Sequence, residues 1–127
     1  MPTNEIETLI DTLIDTYCAA WSDPDPKRRR EILESVWTAG ATYTDPTVHA
    51  AGIDALLAHI GTVAARRPGA KVIRTSRVDA HHGVARFAWR LVQADGSMLP
   101  EGLDVAEITP DHRISRIVGF FGQLAKE

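Results

Sequence analysis

The sequence is short of the features that mark exported proteins. It has one cysteine, Cys18, which cannot form an internal disulfide. Its first residues do not show the basic, apolar and small-residue regions of a secretory signal peptide. The absence of these features leads us to expect a cytoplasmic protein.

Long apolar runs and an excess of positive charge are also missing. No apolar stretch approaches the roughly 18 residues that a membrane span needs, so no membrane partner is expected. The formal net charge is -3, which argues against nucleic acid as the main partner. The basic run 27–30 lies among acidic residues and is interpreted as a solvated helix face.

Motifs for metals, phosphates and nucleophilic catalysis are missing as well. The pair His81 and His82 precedes a glycine and is interpreted as a turn, because no cysteine or carboxylate spacing accompanies it. No glycine-rich phosphate loop is present, and neither Cys18 nor Ser97 has a base at a suitable spacing. The sequence therefore predicts neither a metal nor another cofactor.

What the chain contains is typical of one globular domain spanning residues 1–127. Hydrophobic residues make up 44% of the sequence and charged residues 24%. These proportions are ordinary for a soluble fold, and this length is sufficient to bury a core.

The first half of the chain predicts helices. Apolar residues recur every three or four positions up to Trp21, where Asp23-Pro24 ends a long helix. Asp25 is expected to cap a second helix, with Pro26 in its first turn and Gly40 just past its end. After a short strand at 41–45 and a loop, a third helix begins after Gly52 and is closed by residues 66–69.

The second half predicts strands. Their expected ranges are 72–79, 84–93, 98–109 and 113–121. The second of these alternates, with Phe87 and Trp89 on one side and Arg86 and Arg90 on the other. Asp95-Gly96 is a strong hairpin signal.

This order predicts an α+β fold, in which three helices near the N-terminus pack on a strongly curved antiparallel sheet. A bent sheet closed by helices on one side forms a cone with an apolar interior. One end of such a cone holds the core and the other end leaves a pocket. Asp45 ends a strand before a proline, so its carboxylate is expected to have a defined direction and to act as a base.

The order of elements and four sequence features resemble the nuclear transport factor 2-like superfamily, which includes ketosteroid isomerases and polyketide cyclases. These features are Tyr17 on the first helix, the segment 43–46, Gly52, and the terminal segment 119–122. The superfamily fold implied is a cone-shaped α+β barrel. Because this fold hosts unrelated activities, the resemblance predicts the fold more specifically than the function.

Comparison with the ketosteroid isomerases implies roles for three residues. The segment 41–46 is similar to the one that bears the general-base aspartate, which implies Asp45 as the base. The segment 13–17 resembles the one that holds the oxyanion-hole tyrosine, which implies Tyr17 as a donor. Residues 103–105 match the placement of a protonated aspartate, which implies Asp104 as a second donor to a developing enolate oxygen. Two supporting tyrosines of bacterial isomerases correspond here to Trp37 and Ile60, so Tyr17 is expected to lack their phenolic network.

Further residues are expected to form the pocket that binds a small apolar substrate. They are mainly aromatic or aliphatic, namely Trp21, Trp37, Tyr43, His59, Phe87, Trp89, Ile117 and Phe121. His59, Tyr43 and Asp45 form an alternative acid/base set suited to dehydration, since histidine titrates near neutrality.

Structural roles are open for each of the three central residues. Tyr17 lies on an apolar stripe where most tyrosines are core residues. Asp45 has the position of a turn former that caps backbone N–H groups. Strand alternation leaves Asp104 facing either solvent or a pocket floor formed with Gly102 and Ala106, and the pocket is preferred.

Three functions follow from these patterns. The first is a cofactor-independent isomerase or cyclase that abstracts a proton α to a carbonyl group. The second is a binding or dimerisation module with no catalysis, and the third is dehydratase or epoxide-hydrolase chemistry on water. The superfamily resemblance also implies a homodimer formed through the outer face of the sheet, where Arg86 and Arg90 are expected.

Overall fold

Three helices precede or interrupt the strands in the computed structural model, which describes residues 2–126. They are α1 (Pro2–Ser22), α2 (Pro26–Val36) and α3 (Ile53–Arg66). The Asp25 carboxylate caps α2 by accepting a 3.0 Å hydrogen bond from the Lys27 N–H, as its place before Pro26 predicts. None of the described helices is long and apolar enough to cross a membrane.

Seven strands form one sheet against these helices. They are β1 (Trp37–Asp45), β2 (Val48–Ala51), β3 (Lys71–Arg74), β4 (Asp79–His81), β5 (Val84–Val92), β6 (Gly102–Ile108) and β7 (Ile114–Phe121). Their order across the sheet is β2-β1-β7-β6-β5-β3, with β4 also paired to β5. The predicted α+β fold, with helices packed on a curved sheet, is confirmed.

The sheet is mixed rather than wholly antiparallel, because β7 returns beside β1 and pairs with it in parallel. Hairpin signals report pairing between neighbouring strands, so this distant pairing was not visible in the sequence. The strand β1 also begins at Trp37, earlier than predicted. Gly40 lies inside it with φ +78°, where the register with β7 shifts, and does not follow the end of a helix.

Two other predicted boundaries were wrong. Residues 48–51, expected to be a loop, form β2, because the chain reverses at Asp45 and pairs again with β1. The single strand expected at 72–79 is divided into β3 and β4. The hydroxyl of Ser76 accepts the Ala88 N–H at 2.8 Å, which replaces a backbone ladder bond at the division.

The inner face of the sheet follows the predicted alternation. In β5, Phe87 and Leu91 are buried, while Arg86 lies outside and pairs with Asp79 at 2.9 Å. In β6, Gly102, Asp104 and Ala106 are buried while Leu103 is exposed. Asp104 therefore faces the interior, as preferred from the sequence.

Arg74, at the end of β3, lies outside this interior. Its Nε and Nη2 donate to the two Asp15 carboxylate oxygens at 2.7 and 3.0 Å. This bidentate pair joins β3 to α1 and keeps the charge away from the inner face.

Candidate functional site

A cavity of about 860 Å³ lies between α1, α3 and the inner face of the sheet. The sequence-predicted residues in its wall are Tyr17, Trp21, Tyr43, Asp45, His59, Phe87, Trp89, Asp104 and Phe121. The three residues with implied catalytic roles thus face one space, although they come from α1, β1 and β6.

Trp37 and Ile117 were expected in the cavity wall but lie in the core. They are 3% and 0% exposed, respectively, and do not line the cavity. On the inner face of β7, Phe121 reaches the cavity, Gly119 carries no side chain, and Ile117 belongs to the buried hydrophobic core. Trp37 instead stacks on the Tyr17 ring, with centroids 5.8 Å apart and planes 12° apart.

Asp45 is the last residue of β1 and uses its two carboxylate oxygens differently. Oδ1 accepts hydrogen bonds of 2.7 Å from both the backbone N–H and the hydroxyl of Thr47, within the turn to β2. Oδ2 accepts a 2.6 Å hydrogen bond from the Tyr43 hydroxyl. The turn-forming and cavity-facing interpretations of Asp45 are therefore compatible, since one oxygen serves each.

These donors keep Asp45 ionised. Burial by itself would raise the pKa of Asp45, but the hydrogen bonds from Tyr43 and Thr47 and the nearby His59 outweigh it, and the pKa is lower than its ordinary value. Burial and the bond to Asp45 raise the pKa of Tyr43 instead. Asp45 is thus a carboxylate at neutral pH, and Tyr43 is a neutral phenol that donates to it.

His59 extends this group from α3. Its Nε2 lies 3.7 Å from Asp45 Oδ2, and its side chain is 16% exposed. The Trp21 ring packs against the rings of both Tyr43 and His59, with centroids 5.4 and 5.8 Å away. This packing holds an ionisable nitrogen beside the carboxylate that faces the cavity.

Asp104 lies on the inner face of β6 in a space made by two glycines. The Trp89 ring covers Gly102, and a Cβ added at Gly102 would lie 2.4 Å from this ring. The indole N–H of Trp89 donates to Asp104 Oδ1 at 2.9 Å. An added Cβ at Gly119 would lie 2.7 Å from Asp104 Oδ1 and 3.6 Å from the Asp45 Cβ. Gly119 therefore leaves room for the Asp104 carboxyl group and separates the two acids.

The environment of Asp104 favours its protonated form. Burial raises the pKa of Asp104 from 3.8 to about 7, and the charge on Asp45 adds to the effect, while the Trp89 hydrogen bond opposes it. A protonated carboxyl group can donate a hydrogen bond, which a carboxylate cannot.

Tyr17 supplies a second donor. Its hydroxyl is buried and has no hydrogen-bond partner among the described residues. The Trp21 indole approaches this hydroxyl and favours its ionised form, but it does not reach hydrogen-bond geometry. Burial and the charge on Asp104 raise the pKa of Tyr17, so it remains a neutral phenol. An unpaired buried hydroxyl costs free energy unless a ligand satisfies it.

The arrangement suits acid/base chemistry better than nucleophilic or metal chemistry. It combines around one space an ionised acid, a neutral phenol and a second acid whose pKa is raised to about 7, and such a separation of pKa values marks an acid and a base. Cys18 also lines the cavity, but burial raises the pKa of its thiol to about 12, which disfavours the thiolate. Within residues 2–126, no group of three or more His, Cys, Asp or Glu side chains is placed to hold a metal ion.

Sequence reasoning missed several residues of the site. Thr47 follows Asp-Pro, where side-chain turns are common, so its bonds to Asp45 had a recognisable signal. Gly119 interrupts a strand, which often marks a close approach of other atoms. Arg66 and Arg67 line the cavity as well, although they were interpreted only as the end of a helix.

Solved structures provide the comparison with known proteins, since no protein-family model and no curated sequence matches the chain. A SnoaL-like protein from Agrobacterium tumefaciens strain C58, described as a candidate isomerase, is 32% identical with a TM-score of 0.85. The match covers 91% of this chain and 99% of that one.

More distant structures share the fold alone. A SnoaL-like candidate polyketide cyclase from Jannaschia sp. CCS1 is 14% identical, with a TM-score of 0.69 and coverage of 89% and 85%. A de novo designed protein with a curved sheet matches with the same TM-score at 10% identity, covering 90% of this chain and 85% of its own. A designed protein with this architecture illustrates that the fold does not specify an activity.

Identity at this level over nearly the full length of a SnoaL-like protein, together with the shared fold, identifies the family. The chain belongs to the SnoaL-like family of the nuclear transport factor 2-like superfamily, in which isomerases and cyclases occur beside many members of unknown function.

Proposed function

We propose that this protein is a cofactor-independent isomerase or cyclase that abstracts a proton α to a carbonyl group. Asp45 removes the proton, and Tyr17 and protonated Asp104 donate hydrogen bonds to the enolate oxygen that develops. The main support for this proposal is that Asp45 and Asp104 line the same cavity, where the pKa of Asp45 is lowered and that of Asp104 is raised.

The hydroxyl of Tyr17, which has no hydrogen-bond partner in the described part of the chain, supports this assignment. A donor aimed at developing charge needs no reorganisation when the substrate reacts, and one such donor contributes about 2.7–4 kcal/mol in comparable enzymes. The Trp37 ring stacks on Tyr17 and orients its phenol in place of the tyrosine network of bacterial isomerases. The hydroxyl therefore keeps its hydrogen-bonding capacity for a ligand.

Hydrogen exchange tests the proposal without knowledge of the natural substrate. We expect the protein to accelerate α-proton exchange of 2-tetralone in D₂O, measured by NMR, and Asp45→Asn to remove most of that acceleration. General bases typically contribute about 10²–10⁴-fold. The matched control is Asp54→Asn, which removes an exposed carboxylate that pairs with Arg30 outside the cavity.

The same assay separates catalysis from binding alone. If 2-tetralone binds to the wild type but exchanges no faster than in buffer alone, the proposed catalysis is wrong and the chain is a binding module. Retention of the exchange rate in Asp45→Asn would likewise exclude Asp45 as the base.

Dehydration is a second candidate, favoured by the contact of His59 with Asp45. A histidine 3.7 Å from a carboxylate that also accepts from Tyr43 is suited to protonate a leaving hydroxyl group. Under this alternative, His59→Gln abolishes turnover of a β-hydroxy ketone. Under the enolisation mechanism, the same variant keeps most of the α-proton exchange.

We also propose a homodimer that forms through the outer face of the sheet. Leu103 and Phe120 are directly opposite each other on β6 and β7 and are 38% and 54% exposed. The predicted arginine face is partly neutralised, since Arg86 pairs with Asp79 and Arg116 with Glu107. Sedimentation equilibrium tests the dimer, and Phe120→Lys is expected to yield monomers. A monomeric wild type would refute it.

The binding partner and the cellular location of the protein remain predictions from the sequence. A small apolar molecule is predicted to bind in the cavity, and the location is predicted to be cytoplasmic. Nucleic acid and membranes are not expected as partners.

A further inference from the structure

The mouth of the cavity carries two arginines at the C-terminal end of α3. Arg66 and Arg67 line the cavity and are exposed, whereas the acids Asp45 and Asp104 in the same wall are buried. Among the lining residues that the structure describes, these two aspartates are the only acids. The cavity is therefore acidic at its inner end and basic at its mouth.

One face of α3 connects the two ends. His59, Thr62, Val63 and Arg66 all line the cavity, at the spacing that places residues on one helix face. Seven residues of helix rise about 10 Å, so Arg66 lies about two turns from the histidine that contacts Asp45. A ligand of moderate length can span this distance.

Neither arginine is neutralised by a carboxylate. Across residues 2–126, no acidic side chain lies within ion-pair distance of Arg66 or Arg67, although five other arginines have such partners. Arg67 Nη1 donates instead to the neutral Gln93 Oε1 at 2.8 Å, and Gln93 Nε2 donates to the Ser97 hydroxyl at 3.1 Å. The hairpin thus holds Arg67 at the mouth while leaving its charge uncompensated.

A structural role explains only part of this arrangement. Basic residues in the last turn of a helix interact favourably with its dipole, which is equivalent to about half a negative charge. Two guanidinium groups carry more positive charge than the helix end offsets. The dipole also gives no reason for both side chains to line the cavity or for Gln93 to hold one of them.

We infer that the ligand is an amphipathic ketone with a carboxylate, which Arg66 and Arg67 bind at the mouth while its carbonyl group lies near Asp45 and Tyr17. This inference rests on the proposed function of the same cavity and adds the chemical class of its substrate. The planar fork of a guanidinium matches the two oxygens of a carboxylate, and apolar side chains such as Val63, Leu91 and Leu99 line the cavity around the body of such a molecule.

Three biphenyl probes test the inference by isothermal titration calorimetry at neutral pH. The first, 4-phenylphenol, offers only the phenol that mimics an enolate. The second, 4′-hydroxybiphenyl-4-carboxylate, adds an acid at the far end of the same body. The third, biphenyl-4-carboxylate, carries the acid without the phenol.

We expect the added carboxylate to increase the affinity of the phenol about tenfold, as charge-assisted hydrogen bonds do at a partly solvated site. The gain should decrease as salt is added, because the arginines are exposed. It should disappear in Arg66→Gln/Arg67→Gln. It should persist in Arg28→Gln/Arg77→Gln, which removes the same two formal charges at exposed positions outside the cavity.

Two results overturn the inference: no gain from the carboxylate in wild type, or a gain that survives the double variant. Failure of the proposed function is distinguishable from these results. If the proposed function fails, 4-phenylphenol has the same affinity for Asp104→Ala as for the wild type. Biphenyl-4-carboxylate still loses affinity in the arginine double variant, and that loss supports the anionic subsite.

Discussion

Asp45 and Asp104 reach the same cavity from two different backbone settings. Asp45 ends β1 in a turn, where the Thr47 N–H and hydroxyl and the Tyr43 hydroxyl all donate to it. Asp104 lies in the middle of β6, between β5 and β7, and accepts a side-chain hydrogen bond from Trp89. The pKa is lowered in the first setting and raised in the second.

The difference shows how backbone geometry sets the chemistry of an acid. A turn leaves backbone N–H groups free to solvate a carboxylate, whereas a strand inside a sheet has used its N–H groups in the ladder. A buried acid in a strand must therefore rely on side chains or remain protonated. Two residues of one type thus acquire the complementary roles of base and hydrogen-bond donor.

The largest effect is expected when each of the two acids is replaced by asparagine. Asp45→Asn should lower α-proton exchange about 10²–10⁴-fold because an amide cannot accept the proton. Asp104→Asn should lower it about tenfold or less, because the amide still donates a hydrogen bond. Asp104→Ala should lower it about 10²–10³-fold, the effect of losing an oxyanion donor. NMR of 2-tetralone in D₂O gives all three rates, and equal losses in both asparagine variants would contradict the assignment.

The pH dependence of stability should also depend on Asp104. Its folded pKa of about 7 is above the ordinary value of 3.8, so the folded state binds more protons between these values and stability falls as pH rises through this range. Asp104→Asn removes this dependence and should stabilise the protein above the range by up to about 4 kcal/mol. Denaturant titrations at several pH values measure this, with Asp54→Asn as a control. Curves for wild type and Asp104→Asn that run parallel would exclude the raised pKa.

Gly119→Ala should disturb the space between the two acids. The added methyl group would lie 2.7 Å from Asp104 Oδ1, so the carboxyl group must shift from the Trp89 N–H. We expect a destabilisation of about 1–3 kcal/mol, together with slower α-proton exchange. Gly61→Ala is the matched control, since its new Cβ would meet only Arg29 Nη1 at 3.9 Å. Equal stability of both variants would show that Asp104 is not confined by Gly119.

The smallest effect is expected at the turn. Thr47→Val removes the hydroxyl donor to Asp45 Oδ1 but keeps the backbone N–H, so it should cost about 1 kcal/mol. It should also move the pKa of Asp45 upward, because one of the donors that lower it is lost. Carboxyl ¹³C NMR titration measures this shift. An unchanged pKa would mean that Tyr43, His59 and the backbone N–H of Thr47 lower it without the Thr47 hydroxyl.

The sequence predicted the elements better than their pairing. Helical periodicity and the Asp25-Pro26 cap correctly indicated three helices, because these signals are local. Pairing of β1 with β7 joins residues far apart in the chain, and no local pattern reports it. The break between β3 and β4 depends on a single Ser76 hydroxyl in a ladder position, which propensity does not describe.

The residues of the candidate site also differ in how well the sequence predicted them. The place of Asp45 at a strand end before a proline was sufficient to predict a base there, whereas Tyr17 was selected only through the resemblance to the ketosteroid isomerases. The inward direction of Asp104 was preferred from its small neighbours, but alternation alone allowed both faces. Trp37 was placed in the wall because it is large and aromatic, yet its side chain is buried against Tyr17.

The sequence by itself determined the α+β class, the superfamily resemblance and the acids that compete for chemical roles. These follow from local periodicity, turn residues and short segments. Only the tertiary structure decided that the pKa is lowered at Asp45 and raised at Asp104, that the Tyr17 hydroxyl has no partner among residues 2–126, and that two arginines share the cavity with them. The physical reason is that protonation and ligand preference depend on burial and on neighbours from several elements, which come together only when the sheet closes over the helices.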